Sequence, residues 1–512
     1  MYYKLFLIRM IRKLILFFSL IITTSIIAQT EFRGVSQLKG RILDSKSNTP
    51  LPYANIYVLN KHRGVISNEA GYFSLNTNGL SQTDSIKFQY IGYKTRTICL
   101  VNIKDSSDIF LEEEMINLSE TLIFGSTPNL KQIVKKVIEN KENNYKKTTS
   151  VSKVFVRRRE NTDIENFNLD MKKTSFEELD EKMVQTMENA LPKNSISYTD
   201  FMGDVYFSAV EEDSIKFKTN PIRTVSLKEK DIAELDQLEK VFDKLLSNTA
   251  EEEYWKIKSG VFGQKLEIDA NDTTTKKENT DTTDNNQRRL KYFNYRIAGN
   301  LKYSNMDDEK LWEFLYKPAR YKYTLAGGIS VGGEPVYIID FEPASRGLYK
   351  GRMYISIETY ALIKADYEYA EGKNGRDLSL LGVSFSEDHF KGSVFFQKKD
   401  SVYKLKYFSK SEGSSVGFDR SVALLKKKKR WLFDKKLNEI KVGVDLGIKS
   451  QSLVEFLILD YEEISHSKFA NFIQPEKMDV IYVEQFNDSL WKDFSIIEPT
   501  VKMREYRKQT EY

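Results

Sequence analysis

The sequence predicts a chain built mostly of β-strands, with an α+β second half. Apolar and polar side chains alternate in short runs near the N-terminus, for example from Ile86 to Tyr90, which is the period of a half-buried strand. The same alternation returns over 353–369 and 403–407, where burial of one face predicts an antiparallel sheet. Only a few segments show the 3.6-residue period of an amphipathic helix.

The first 28 residues show the three-part pattern of a secretory signal peptide. Basic residues precede an apolar run over 14–22, and small or polar residues lead to Ala28. We therefore expect 1–28 to be a signal peptide and the protein to be exported, to the periplasm or to an outer-membrane-associated part of the cell envelope. The alternative is a membrane anchor, but the run is shorter than the roughly 20 residues that span a bilayer.

Length and composition limit the number of domains, the kinds of partner and the disulfides that the chain can have. The chain has 512 residues, enough for two to four domains, and a formal net charge of +5, which is small for this size and predicts no nucleic-acid partner. Cys99 is the single cysteine, so no internal disulfide is expected.

Residues 37–115 consist of short predicted strands separated by turns. In the turn at 68–71, Gly71 is free to adopt a positive φ. Four motifs follow one another here: GRILD at 40–44, PLPYANI at 50–56, NEAGYF at 68–73 and YIGYK at 90–94. In this order they resemble the carboxypeptidase-regulatory-like domain, a transthyretin-like β-sandwich of Bacteroidetes-type envelope proteins. The resemblance implies an N-terminal β-sandwich that acts as an accessory or docking module and contributes no catalytic residue.

The rest of the chain divides by pattern into four further regions. Residues 116–150 form a helical connector whose apolar positions have the i, i+3, i+4, i+7, i+8 spacing of an amphipathic helix: Leu130, Ile133, Val134, Val137 and Ile138. Residues 151–270 are a mixed α+β region with helices expected at 176–190 and 228–247. Residues 271–289 are nearly all polar and predict a disordered loop. Residues 290–500 predict a C-terminal antiparallel curved sheet, and whether 151–512 forms one domain or two stays open.

The segment 351–364 resembles the long curved sheet of bacterial lipoprotein-carrier proteins. In those proteins, strands joined by short turns build half a barrel over an apolar cavity. The resemblance covers about two hairpins and implies a carrier function as one alternative.

One basic run is the candidate contact site for a partner or lipid: Lys426, Lys427, Lys428, Lys429, Arg430 and Trp431. Two interpretations remain open. The run is either a solvated loop between strands, or a patch that contacts anionic lipid head groups or the acidic face of a partner, with aromatic side chains as anchors.

No catalytic constellation stands out, so no catalytic, cofactor-binding or metal-binding residue is assigned. The three histidines, His62, His389 and His466, lack the helical pairing of a zinc site. The sequence 413–417 matches G-x-S-x-G, with Ser415 followed by Asp445 or Asp460 and then His466 in the order of a hydrolase triad. The antiparallel pattern around it favours a polar hairpin turn instead. Similarly, Gly327-Gly328 and Gly332-Gly333 are interpreted as a hairpin turn or bulge.

These observations predict a non-catalytic exported envelope protein. We expect an accessory or binding subunit of an outer-membrane assembly that docks through its β-sandwich. The alternatives are a lipid or lipoprotein carrier with an apolar cavity under the curved sheet, and a serine hydrolase that uses Ser415. The sequence does not predict the oligomeric state.

Overall fold

The computed structural model describes residues 37–114, 128–176, 181–190, 193–227, 252–266 and 282–506, except for positions 62, 212, 214, 215, 261, 345, 432 and 493. The predicted signal peptide, the predicted helix at 228–247 and most of the predicted loop at 271–289 lie outside these residues. In the described part of the chain, no helix is long and apolar enough to cross a membrane.

Residues 37–111 form two small sheets that enclose an apolar core of their own. Seven strands build them: β1 Gln37–Asp44, β2 Asn55–Val58, β3 Gly64–Ile66, β4 Tyr72–Asn76, β5 Ser85–Gln89, β6 Arg96–Cys99 and β7 Ser107–Leu111. The sheet orders are β4-β1-β7 and β3-β2-β5-β6, and a short 3₁₀ helix spans Leu100–Asn102. The predicted N-terminal β-sandwich is confirmed.

The turn before β4 follows the prediction from sequence. Asn68 accepts hydrogen bonds through Oδ1 from the backbone N–H groups of Ala70 and Tyr72, at 2.9 and 3.0 Å. Gly71 has φ +80°, the left-handed region that glycine enters without steric cost. The turn therefore directs Phe73 into the sandwich core.

Seven α-helices are described: α1 Leu130–Glu139, α2 Lys141–Asn144, α3 Glu181–Ala190, α4 Thr282–Ser304, α5 Glu313–Tyr316, α6 His466–Asn471 and α7 Val501–Glu505. Two more 3₁₀ turns span Pro318–Arg320 and Asp488–Leu490. Helix α1 begins at an Asn129 cap, whose side chain accepts from the backbone N–H of Gln132, and it buries Ile133, Val134 and Val137. The predicted connector helix is confirmed.

One large curved sheet contains the remaining 14 strands. They are β8 Ser150–Thr174, β9 Asn194–Phe207, β10 Phe217–Leu227, β11 Glu253–Ser259, β12 Phe262–Leu266, β13 Tyr321–Val331, β14 Glu334–Pro343, β15 Tyr349–Ser356, β16 Leu362–Tyr369, β17 Asp377–Leu380, β18 Val383–Lys399, β19 Val402–Lys428, β20 Lys435–Glu463 and β21 Ile481–Val483. The main path runs β13-β14-β15-β16-β18-β19-β20-β8-β9-β10-β21, antiparallel except for the β10–β21 pair. Because β8 to β10 and β13 to β20 share this sheet, regions 151–270 and 290–500 form one structural unit.

The two faces of the sheet have different coverings. Val154, Phe408 and Phe456 belong to a core that also contains residues of α1 and α4, and we call this side the helix face. Phe155, Tyr407 and Leu457 point the other way and pack with Ile66 of the sandwich and with Trp491, Ile496 and Ile497 near the C-terminus. We call this side the sandwich face. The period-two alternation of the strands therefore builds two cores.

Helix α4 corrects the sequence prediction. Residues 282–289, predicted to be part of a disordered loop, belong to this helix, and the region after 290, predicted to be a sheet, begins with its second half. The apolar positions Leu290, Phe293, Ile297 and Leu301 have helical spacing and pack on the helix-face core. The polar run before them masked this signal, because it contains no apolar residue that would show the same period.

Candidate functional site

The basic run lies at the turn of the longest hairpin in the described chain. Strands β19 and β20 pair from Tyr407↔Leu457 to Lys428↔Lys435, and residues 429–434 connect them. We call residues 426–436 the hairpin tip. Trp431 is 97% exposed and Phe433 is 81% exposed. Since large aromatic side chains normally bury most of their surface, two of them exposed at one turn indicate a surface that contacts something else.

Some cations of the tip are held by acidic neighbours at the start of the adjoining strand β11 or directly before it. Lys426 Nζ lies 2.9 Å from Glu253 Oε2, and Lys428 Nζ lies 3.3 Å from Glu252 Oε2. The Tyr254 hydroxyl donates to Asp434 at 2.6 Å, and this hydrogen bond holds the pKa of Asp434 below its usual value.

Other cations of the tip remain available to a ligand. Lys427, Lys429, Arg430 and Lys435 form no ion pair with any residue that the structure describes. The tip thus combines exposed cations with two protruding aromatic rings. This combination suits the boundary between anionic head groups and acyl chains, where tryptophan is enriched and each nearby cation contributes about 1 kcal/mol.

Of the predicted site residues, Lys426 and Lys428 therefore have a structural partner, whereas Lys429, Arg430 and Trp431 are exposed and Lys427 is half-buried. Phe433 is the second of the aromatic side chains that the sequence predicts as anchors, and it is exposed in the same turn as Trp431.

The residues of the hydrolase motif do not come together. Residues 413–417 lie inside the continuous strand β19, so the predicted polar hairpin turn was wrong. Ser415 donates a hydrogen bond to Asp388, and its strand pairs with Lys449 on β20. His466 lies on α6, with Nδ1 3.6 Å from Asp213 Oδ2.

The remaining glycine positions form a turn and a bulge, and of the remaining histidines His62 lies outside the described residues. Gly332 and Gly333 form the β13–β14 turn with φ +60° and +89°, and a bulge lies between Leu325 and Gly327, which confirms that prediction. His389 Nε2 lies 2.8 Å from Ser411 Oγ. Among the described residues, no group of three or more histidine, cysteine or acidic side chains could hold a metal ion.

The helix face contains a partly open, mostly apolar cavity of about 130 Å³. Phe207, Phe217, Phe396, Leu405 and Ile458 are among its lining residues. A dry cavity of similar size accommodates a benzene-sized molecule, which is much smaller than an acyl chain. Most of the helix face is instead filled by side chains, with Trp312 and Phe314 fully buried at its centre.

Comparisons with solved structures find distant likenesses. The complex of MucA and MucB from Pseudomonas aeruginosa matches at 8% identity, over 63% of this chain and 93% of that chain, with a TM-score of 0.17. A LolA superfamily protein from Nitrosomonas europaea matches at 8% identity, over 66% and 95% of the two chains, with a TM-score of 0.15. TM-scores this low carry no argument about function.

No curated protein sequence matches the chain. The model of one family, the CarboxypepD_reg-like domain, matches residues 38–123. This range contains the four sequence motifs and all seven strands of the sandwich except the first residue of β1. Residues 38–123 are therefore a CarboxypepD_reg-like domain.

Proposed function

We propose that the protein is a non-catalytic, exported binding protein of the cell envelope that attaches to an anionic membrane surface through its hairpin tip. The observation that carries this proposal is the pair of exposed rings, Trp431 and Phe433, among outward-facing cations. The rings supply apolar contact at the head-group level, and the cations supply attraction to anionic lipid.

The role of accessory subunit in an outer-membrane assembly is part of this proposal. The sandwich packs one side on the chain's own sheet, through Ile66 and Tyr53. Docking on a partner would therefore use its outer side, while the tip would contact the membrane. Affinity purification from detergent-solubilised envelopes, read by mass spectrometry, tests this role: we expect a stoichiometric outer-membrane protein, and a clean lane would exclude the subunit role.

Vesicle flotation tests membrane attachment. We expect the protein to float with vesicles of phosphatidylcholine and phosphatidylglycerol, and not with phosphatidylcholine alone. The double variant Trp431→Ala/Phe433→Ala should lose flotation. Tyr295→Ala removes an aromatic side chain that is 78% exposed on α4, away from the tip, and serves as the matched control. Equal flotation of both variants would exclude the tip as the attachment site.

A lipid or lipoprotein carrier is the second candidate, and the apolar cavity on the helix face favours it. Because the cavity is small, carriage of an acyl chain would require α4 to move away from the sheet. Delipidated protein should then take up a fluorescent fatty acid in a saturable manner, and no uptake would exclude this function.

A further inference from the structure

A second basic cluster lies where the sandwich meets the large sheet, in a cleft of about 420 Å³. One wall is formed by β2, β3 and the turn between them, and the other by the adjacent ends of β18, β19 and β20. Six cationic side chains line the cleft: Lys61, Arg63, Lys398, Lys399, Lys404 and Lys406. Asp460 is the one carboxylate among the described lining residues. None of the lining residues belongs to the hairpin tip.

The cleft exists because two neighbouring strands separate. The β19–β20 ladder ends at Tyr407↔Leu457, although β19 continues back to Val402 and β20 continues to Glu463. The pairing of β18 with β19 also shifts at this point, between the pairs Phe395↔Tyr407 and Phe396↔Leu405, which leaves Lys406 as an extra residue in a bulge. Bulges of this kind redirect a side chain and are frequent next to functional sites.

Three cations of the cleft are held by backbone carbonyls rather than by carboxylates. Arg63 donates to the Asn78 carbonyl at 2.6 Å, and Lys399 donates to the Tyr461 carbonyl at 3.4 Å. Lys406 Nζ donates to the Ile458 carbonyl at 2.7 Å. None of the three has an ion-pair partner among the described residues. The sandwich and the sheet thus each contribute cations that no described carboxylate pairs with, whereas the other three, Lys61, Lys398 and Lys404, form ion pairs with Asp84, Glu334 and Glu463.

The Lys406 ammonium lacks a full counter-charge. Burial lowers its pKa to about 8, an effect that Asp460 only partly opposes. An anion bound beside this ammonium would supply the missing charge, because a nearby opposite charge favours the charged form of a lysine.

We propose that this interdomain cleft binds a phosphate- or carboxylate-bearing ligand, with Lys406, Lys399 and Arg63 as its principal contacts. Charge-assisted hydrogen bonds from lysine and arginine to an anion are shorter and stronger than neutral ones. Since the cations lie on two walls, a ligand with two anionic groups bridges the sandwich and the sheet and binds more tightly than one with a single group.

Isothermal titration calorimetry with inorganic phosphate and pyrophosphate tests this site on the full chain. We expect saturable binding, tighter for pyrophosphate than for phosphate and weaker at high salt. Lys406→Met retains the aliphatic stem and removes the charge, and it should weaken pyrophosphate binding by at least about tenfold. Lys391→Met, at an exposed position on β18 outside the cleft, is the matched control and should bind as the wild type does. Thermal unfolding confirms that both variants fold.

Failure to bind either anion, or equal affinity in the Lys406→Met and Lys391→Met variants, would overturn the proposed anion site.

A second experiment distinguishes a soluble ligand from a lipid head group. In the Trp431→Ala/Phe433→Ala background, flotation with phosphatidic acid vesicles that is lost on adding Lys406→Met identifies a head group. Pyrophosphate binding without such flotation identifies a soluble anion. Because these variants lack the two aromatic side chains of the tip, the result does not depend on whether the tip attaches to membranes.

Discussion

Arg157 and Asp200 form a bidentate ion pair between the neighbouring strands β8 and β9 on the sandwich face. Nε lies 2.8 Å from Oδ1 and Nη2 lies 2.7 Å from Oδ2, and the two residues are 3% and 1% exposed. The remaining guanidinium nitrogen, Nη1, donates to the Ile497 carbonyl at 2.8 Å. One buried cation thus connects the sheet to the C-terminal segment that packs beneath the sandwich.

Breaking this pair from one side should be costly. We expect Arg157→Met and Asp200→Leu each to lower the free energy of unfolding by about 3–5 kcal/mol, because each leaves a buried charge without its hydrogen-bonded partner. The double variant should lose less than the sum of the two. Denaturant unfolding of the four proteins measures this coupling. Additive losses would show that the two charges act independently.

Glu455, beside this pair, should make stability depend on pH near neutrality. Burial raises its pKa from 4.5 to about 7, and the nearby Arg157 only partly opposes the shift. Between these values the folded state binds more protons than the unfolded state, so the contribution is present below pH about 4.5 and is lost as the pH rises through about 7. Glu455→Gln should remove this loss and stabilise the protein above pH 7, by about 3 kcal/mol. Unfolding curves from pH 5 to 8 measure it, with the exposed Glu342→Gln as control. Parallel wild-type and Glu455→Gln profiles would contradict the assignment.

The glycine of the sandwich turn provides a prediction with an internal control. Gly71 has φ +80°, and an added Cβ would lie 2.6 Å from the Ile42 carbonyl oxygen. Gly79 has a similar φ of +73° and open space around the same position. Gly79→Ala should therefore cost about 1 kcal/mol from backbone strain alone, whereas Gly71→Ala should cost about 2–3 kcal/mol. Thermal unfolding compares the stabilities of the two variants. Equal losses would show that the close approach to the Ile42 carbonyl at Gly71 does not affect stability.

Two features of the fold show what a short stretch of sequence can predict. The need for a positive φ at Gly71 and the buried stripe of α1 both follow from a few adjacent residues, and both are confirmed. The full length of β19 does not, because residues 409–415 contain no apolar side chain and therefore show no apolar alternation.

The interdomain cleft could not be predicted from local sequence patterns either. Arg63 and Lys406 are 343 positions apart in sequence, and they meet only because the sandwich packs where β19 and β20 separate. No local pattern marks that separation. The hairpin tip, in contrast, is a consecutive basic run, so its position could be predicted from sequence, although the internal pairing of Lys426 and Lys428 could not.

That internal pairing leads to a prediction about charge at the tip. Lys429→Glu/Arg430→Glu reverses two cations that form no ion pair with a described residue, so it should abolish flotation with anionic vesicles and change the free energy of unfolding by less than about 0.5 kcal/mol. Lys426→Met removes a cation that Glu253 already holds, so it should leave flotation nearly unchanged. Flotation at increasing salt completes the test, because attachment through exposed charges weakens as ionic strength rises. If Lys426→Met abolished flotation as fully as the charge reversal, the membrane contact would extend onto the β11 side of the hairpin rather than being confined to its turn.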